Sequence, residues 1–503
     1  MSGPTAGCID ALPRRWAQAT PEAAAIRDGP RTVPWRALVE AIDACASALG
    51  SAGVQAGDRV VIVAENSVAQ IAAIFAASTL RASAVPVNPR LSPRELDAIR
   101  EHAQPRVTLY ATGVAEEVDA HARRHGAKEV DIAGIGPVAL SASAFDCEPL
   151  HGVAAIVYTT GTSGRPKGVM LTHANLLFVA GTSAKLRELD PADRIYGALP
   201  IYHVYGFASM LLGAFCAGAC LQVVARFDAR RALDAIANDG LTIVQGVPAM
   251  YTRMLEQLPG DARATAPRLR YLYAGGSPLD AALKREVEAR FGLALHNGYG
   301  LTETSPTVSQ TRLDAPRDDT SVGPPIPGIE VRIVDATRRD VDAGAIGELW
   351  VRGPNVMRGY HRDAQATAEA ITPDGWLRTG DLARRSEDGA LFIVGRSKDL
   401  IIRSGFNVYP GEVESVLNAH PAVAQSVVVG RSIAGGNEEV VAFVELAAGQ
   451  VATAAELATH AATELAPYKR PCEIRIMAAL PASPTGKVLR GQLKQLAATS
   501  ASP

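Results

Sequence analysis

No charge of one sign dominates this 503-residue sequence: 50 lysines and arginines face 52 aspartates and glutamates, for a formal net charge of −2. The balance removes the broad basic field by which proteins hold nucleic acid, so no nucleic-acid partner is expected. Long hydrophobic runs are also missing. Stretches such as 71–80 fall short of the roughly 20 apolar residues that a bilayer-spanning helix needs, and no transmembrane segment is expected. The first residues show neither a basic n-region nor a long apolar h-region, and a cytoplasmic location is expected. Cysteine is sparse. The six, Cys8, Cys45, Cys147, Cys216, Cys220 and Cys472, have neither zinc-like pairing nor a disulfide framework suited to so large a chain, and are expected to be reduced. Cys216 and Cys220 are expected on one apolar helical stretch, as small buried side chains rather than metal ligands. Repeats and low-complexity tracts are absent apart from an Ala/Ser tail after Ala497.

What is present is a composition that is 48% hydrophobic, the profile of a globular enzyme, with enough chain for about three structural units. Strand-like and helix-like patterns alternate from residue 59. RVVIVAEN (59–66) leads into SVAQIAAIFAASTLRA, then SAVPVNPR, PRELDAIREH and RVTLYA, an order that predicts a mainly parallel, helix-covered sheet. After residue 150 the pattern returns in VAAIVY, LTIVQGV and YLYAGG, which predict a second α/β sheet. From about residue 320 short strands and turns take over (EVRIVD, GELWVRG, GWLRTGD, ALFIVGR), with Asp388-Gly389 as a hairpin signal. The predicted architecture is α/β: an N-terminal domain over 1–396, made of two helix-covered sheets plus a small β-subdomain at about 320–396, and a smaller mobile α+β domain over 397–503. In the latter a helix is expected near 411–418, strands at QSVVVG and VVAFVEL, and a helix near 456–465.

The most informative stretch is YTTGTSGRPKG (158–168), directly after the buried-looking strand VAAIVY. Glycines let the backbone turn tightly and aim amides at an anion, while hydroxyls and a lysine add donors and charge. Such a loop suits phosphate. Its spacing differs from the Gly-Lys-Ser/Thr ending of a Walker A loop, which disfavours a P-loop NTPase.

With this loop the sequence resembles the adenylate-forming superfamily, in its branch of acyl-CoA synthetases and coumarate-type CoA ligases. The resemblance continues, in order, through LPIYHVYGF (199–207), YAGGSPL (273–279), NGYGLTET (297–304), GWLRTGD (375–381), GRSKDLIIRSGFNVYP (395–410) and PTGKVLR (484–490), and covers nearly the whole chain. It implies an ATP-dependent acid–thiol ligase using ATP, Mg2+ and coenzyme A. In such an enzyme a carboxylic acid becomes its acyl-adenylate, with release of pyrophosphate, and is then passed to the CoA thiol, with release of AMP. Joining a carboxylate to a phosphate brings two anions together, so donors and positive charge are required where the bond forms.

By resemblance, Thr159, Thr160, Gly161, Thr162, Ser163, Gly164 and Lys167 hold the β- and γ-phosphates, and Thr302 and Glu303 meet the α-phosphate and the magnesium ion. Gly275, Gly276 and Ser277 flank the purine, Tyr299 stacks on it, and Asp381 with Arg396 takes the ribose. Lys487 bridges the acid and the α-phosphate, and Lys398 is the hinge of the C-terminal domain. Each has a plainer reading: a glutamate after a glycine turn or a lysine in a tail is usually a solvated charge, Tyr299 could be a core aromatic, and Asp381 a turn residue. His203 is placed on the acyl side, against the plainer reading of a satisfied core histidine. The acyl pocket is expected from His203, Val247, Pro248, Met250, Gly275, Gly300, Leu301 and Val308, a mostly apolar set that suits a medium-chain aliphatic or aromatic monocarboxylic acid. Arg253 leaves a malonate-type dicarboxylate as an alternative. Coenzyme A is assigned Arg90, Gly405, Phe406, Lys469 and Arg470, while the atypical loop RSIAGGNEEV (431–440) puts Gly436 where some relatives carry an aromatic platform. An acyl-AMP ligase loading a carrier protein, or a non-catalytic module retaining the fold, are the competing readings. A monomer or homodimer is expected.

Overall fold

The computed structural model describes residues 7–143, 145, 148–160, 166–403, 406–433, 437–482 and 488–499. Its first eight-stranded sheet has the order Gly359–Tyr360, Pro166–Thr172, Val153–Thr160, Ser83–Val87, Arg59–Val63, Val107–Tyr110, Gly136–Ala142, Lys128–Ile132. The four strands from Val153–Thr160 to Val107–Tyr110 run parallel. Every residue of the 59–63, 83–87 and 107–110 strands is buried, as expected where helices cover both faces and strands become continuous apolar runs. Helix Val68–Thr79 is capped by Ser67, whose hydroxyl accepts the Gln70 amide. It is apolar around most of its circumference and so lies inside the core. One hydrophobic cluster runs from Val60 and Ile62 through Ile74 and Phe75 to Phe215, Ile195 and Leu272 of the second sheet.

That second sheet has the order Thr307–Gln310, Leu295–Gly300, Tyr271–Ala274, Ile243–Gly246, Arg194–Gly197, Cys220–Val223, Ala24–Asp28, Arg31–Pro34. It is parallel except for the outermost pair at each edge. Two expectations are corrected here. VAAIVY does not open the second sheet; it pairs with Ser83–Val87 and completes the first, because a strand's sheet is decided by which edge it meets and not by its place in the chain. Cys220 is not helical: Cys216 ends in helix Gly213–Ala217, and Gly218 at φ +77° breaks the helix before strand Cys220–Val223.

The β-subdomain is as expected, four antiparallel strands (Glu330–Val334, Gly347–Arg352, Leu377–Arg385, Leu391–Arg396) with Gly389 at φ +85° in the turn. After the short 3-10 turn Ser397–Asp399 comes the C-terminal region. There, strands Val423–Ser432, Glu438–Leu446 and Glu473–Met477 form one sheet, with helices Pro410–Asn418, Ala454–Glu464 and Arg490–Ala498. A reciprocal Thr453/Glu456 capping box starts the middle helix. Among the described residues no helix is long and apolar enough to cross a membrane.

Candidate active site

The second sheet delivers the carboxyl ends of Ile243–Gly246, Tyr271–Ala274 and Leu295–Gly300 side by side, the place where open α/β sheets hold ligands. Val247 caps helix Pro248–Glu256, and Pro248 fills its first position, where the missing N–H leaves no hydrogen bond unmade. Gly275 follows the next strand, and a Cβ there would sit 3.3 Å from the Tyr205 ring; one on Gly276 would lie 3.6 Å from Val247 Cγ1. Tyr205, Val247, Gly275 and Gly276 therefore form one close-packed wall, with Pro248 and Met250 buried behind it. His203 is exposed rather than in the core. It sits two residues before Tyr205, which opens the π-helix Tyr205–Leu212, a form of helix frequent at functional sites.

Gly300 belongs to a tight loop: any Cβ would strike the Pro306 carbonyl oxygen at 2.0 Å, and that oxygen accepts the Leu301 amide. The loop presents Thr302, buried, and Glu303, half-buried. The Glu303 carbonyl accepts the Met357 amide, and its carboxylate accepts the Tyr360 hydroxyl at 2.9 Å. Tyr360 lies on the two-residue strand paired to Val169 and Met170, and Lys167 Nζ stands 4.8 Å from its ring centre, within cation–π range. Thr159 pairs with Lys167, and Thr160 with Pro166, across the hairpin. Gly161, Thr162, Ser163 and Gly164 lie outside the described residues.

Asp381 is buried, and Tyr299 donates its hydroxyl to Oδ2 at 2.5 Å, while Arg396 Nε lies 3.0 Å from Oδ1. Asp381 and Arg396 are opposite each other on neighbouring strands. Burial and the Asp381 charge push the Tyr299 phenol well above its ordinary range, so it stays a donor. The Tyr299 ring also packs on the subdomain core, beside Val308.

Val308 is fully buried with Val322, Ile326 and Leu349 in the cluster beneath the β-subdomain. The Arg470 guanidinium donates to the Ala462 and Leu465 carbonyls at the end of helix Ala454–Glu464, a C-terminal cap. Arg90 is paired with buried Glu65 at 2.8 Å and Lys469 with Glu412 at 2.5 Å. Phe406, 55% exposed, stacks on Tyr468 at 4.7 Å. Ser277 is half-buried beside Gly276, and Lys398 is exposed in the turn Ser397–Asp399. Gly405, Gly436 and Lys487 lie outside the described residues. Tyr205 and Tyr360 were not singled out by sequence reasoning, although Tyr205 lies within LPIYHVYGF (199–207); Tyr360 is marked only by its neighbours in space.

The model of the AMP-binding enzyme family matches residues 13–361, and that of the AMP-binding enzyme C-terminal domain matches residues 412–487. The chain is 34% identical over 499 residues to the indoleacetate–CoA ligase of Aromatoleum aromaticum (96% of this chain, 97% of the relative), and 34% identical over 492 residues to the feruloyl-CoA synthase of an Amycolatopsis species (97% and 98%). Among solved structures it is similar to ATP-bound MatB from Rhodopseudomonas palustris, at 32% identity and a TM-score of 0.87, covering 97% of this chain and 99% of that one. The chain belongs to the AMP-binding enzyme family, in its acyl-CoA synthetase branch. It is an ATP-dependent, AMP-forming acid–thiol ligase that uses ATP, magnesium and coenzyme A. The residues fit the metal: Mg2+ takes most of its oxygens from phosphate and water and needs one or two carboxylates. Glu303, oriented by Tyr360 beside Lys167, offers one.

Proposed function

We propose that this ligase activates a medium-chain aliphatic or aromatic monocarboxylic acid. Its carboxylate oxygen attacks the α-phosphorus of ATP and pyrophosphate leaves; the CoA thiol, losing its proton, then attacks the acyl carbon and AMP leaves. Lys167 and the Thr159 to Gly164 loop hold the β- and γ-phosphates, Thr302 meets the α-phosphate, and Glu303 holds the magnesium ion, whose charge offsets that of the phosphates. Asp381 and Arg396 take the ribose. Gly275, Gly276, Ser277 and Tyr299 flank the base. Lys487 supplies positive charge where the two anions meet, and Lys398 is the hinge about which the C-terminal region exchanges Lys487 for the CoA-binding face, with Phe406 and Lys469 toward the cofactor.

The observation that carries the reading is the convergence of Glu303, Tyr360 and Lys167 from three separate parts of the chain, next to strand ends walled by Tyr205 and Val247. The wall favours an apolar acid. Arg253 is exposed on helix Pro248–Glu256, which weighs against a short dicarboxylate. Pyrophosphate exchange across a panel of aryl, alkyl and dicarboxylic acids, followed by thioester formation with CoA, tests this. The expected result is exchange with aryl or medium-chain acids; exchange with dicarboxylates alone, or transfer to a carrier protein in preference to CoA, would overturn it.

A further inference from the structure

The hairpin assigned to the β- and γ-phosphates is held at its root by three rings from separate parts of the chain. Tyr158 and Gly168 are opposite each other on strands Val153–Thr160 and Pro166–Thr172, and the next pair is Thr159 with Lys167. Successive side chains of a strand point to opposite faces, so Tyr158 lies behind the pair assigned to phosphate. A Cβ on Gly168 would stand 2.9 Å from Ile156 Cγ2, 3.2 Å from Tyr158 Cζ and 3.3 Å from His361 Cβ. Glycine at this position is what lets the Tyr158 ring and His361 close over the strand. The His361 amide donates to the Gly168 carbonyl at 2.7 Å, and its chain neighbour Tyr360 is the residue that orients Glu303.

His102 supplies the third ring. It lies in the last turn of helix Pro93–Ala103, and its Nδ1 is 2.8 Å from the Tyr158 hydroxyl. The imidazole stands edge-on to Tyr158, with centres 5.7 Å apart, and edge-on to His361 at 5.5 Å. Burial pushes the Tyr158 phenol well above its ordinary range, while burial and then Arg362 lower the His102 imidazole. The phenol therefore keeps its proton and donates it; a neutral imidazole accepts at Nδ1 and carries its own hydrogen on Nε2. His361 is buried, and its Nε2 is without a hydrogen-bond partner among the described residues. In such low-dielectric surroundings the Tyr158–His102 bond is stronger than at the surface, and its loss costs more.

A buried phenol is most simply satisfied by a nearby backbone carbonyl, as Tyr251 is by Val244 and Tyr273. Tyr158 is tied instead to a side chain on a helix 56 residues earlier, which fixes where the hairpin sits over the first sheet. We propose that Tyr158 and His102 are positioning residues for the nucleotide: their hydrogen bond, backed by His361, sets the placement of Thr159 and Lys167 against the β- and γ-phosphates. The inference rests on the phosphate assignment of that hairpin given above. Small displacements of groups that hold a reacting phosphate chain are costly, so one hydrogen bond behind the hairpin is felt at its front.

The test is the binding of MgATP and of AMP, each titrated calorimetrically, because only MgATP carries the phosphates that the hairpin would touch. His102→Leu and Tyr158→Phe should each raise the Kd for MgATP about five- to tenfold and leave the Kd for AMP within about twofold. His102→Asn, whose Oδ1 offers an acceptor close to the place of Nδ1, should recover most of the loss. The double variant Tyr158→Phe/His102→Leu should be no worse than the weaker single one, since both remove the same bond. An unchanged Kd for MgATP in folded His102→Leu overturns the inference, as does an equal loss of MgATP and AMP, which would make the cluster a stability element only. Should His102→Leu fail to fold, Tyr158→Phe, which removes a single oxygen, decides alone. Lys167→Met separates the two readings. Weaker MgATP binding in Lys167→Met with none in the cluster variants sinks this inference alone, whereas no change in Lys167→Met removes the phosphate assignment and this inference with it.

Discussion

The two carboxylates of the candidate site are held by the same kind of group in different surroundings. At the phosphate end, Glu303 is half-buried and takes the Tyr360 hydroxyl, with Lys167 over that ring. At the ribose end, Asp381 is buried and takes both the Tyr299 hydroxyl and the Arg396 guanidinium. A phenol orients a carboxylate without neutralising it, so Glu303 keeps its charge available to a cation. The Asp381 carboxylate is already matched by Arg396 and is better suited to accept from neutral hydroxyls. The difference separates a group that handles charge from one that handles shape.

The sharpest way to break the comparison is to remove the charge at the phosphate end. Glu303→Gln should lower kcat for pyrophosphate exchange by about 10²–10³, the usual loss for one preorganised electrostatic contact, with little change in the KM for the acid; an unchanged kcat would remove Glu303 from metal binding. Asp381→Asn should act mainly on binding. Hydrogen bonds to a charged group contribute about 1.5–3 kcal/mol, so the KM for ATP should rise by roughly 10–100-fold with kcat reduced less, and a kcat-only effect would contradict the ribose assignment. The phenols sharpen the contrast. Tyr360→Phe should cost more activity, about tenfold in kcat at the lower end of the range for a hydrogen bond to a charged group, than Tyr299→Phe, because Asp381 retains Arg396; the reverse order in matched assays would mean that the phenols do not serve the carboxylates as drawn.

The smallest expected effect concerns pH. His361, beside Tyr360, is buried, and burial, then the neighbouring His102 and Arg59, lower its pKa to about 4. The unfolded chain takes up that proton near about 6.5. Between those values the unfolded state binds more protons, so stability is fully present above about pH 6.5 and is lost as pH falls toward 4. The loss should be on the order of 1–3 kcal/mol, and His361→Gln should flatten the melting temperature over that window. Retention of the full slope in the variant would place the titrating group elsewhere, with His296, also lowered to about 4, next to be replaced.

Much of the fold could be read from contiguous patterns. The buried runs at 59–63 and 83–87, the Pro93–Ala103 helix with its Ser92/Glu95 capping box and the antiparallel β-subdomain all follow from local signals. The short strands at 24–34 escaped, because Ala24–Asp28 is a strand by virtue of pairing with Cys220–Val223, far along the chain. The ligand motifs were legible for the same reason as the helices: a glycine that must let the backbone approach, such as Gly300 under Pro306, marks its own position. Charged residues carried no such mark. Arg90, Lys469 and Arg470 looked alike as cations, and only their partners showed Arg470 capping a helix while Arg90 and Lys469 pair with glutamates.

The sequence alone therefore determined the family, the order of the elements and the loops that turn at glycine, because these depend on backbone geometry and on the period of apolar residues along a few consecutive positions. The tertiary structure alone decided that VAAIVY joins the first sheet, that Val308 packs under the subdomain, that Tyr360 and Tyr299 each hold a carboxylate, and that Arg187 is buried against Gln245 and Gln310. Each of these is a contact between residues tens to hundreds of positions apart. Sheet edges, burial and hydrogen-bond partners are properties of the folded arrangement, and no run of neighbouring residues encodes which distant side chain will stand opposite.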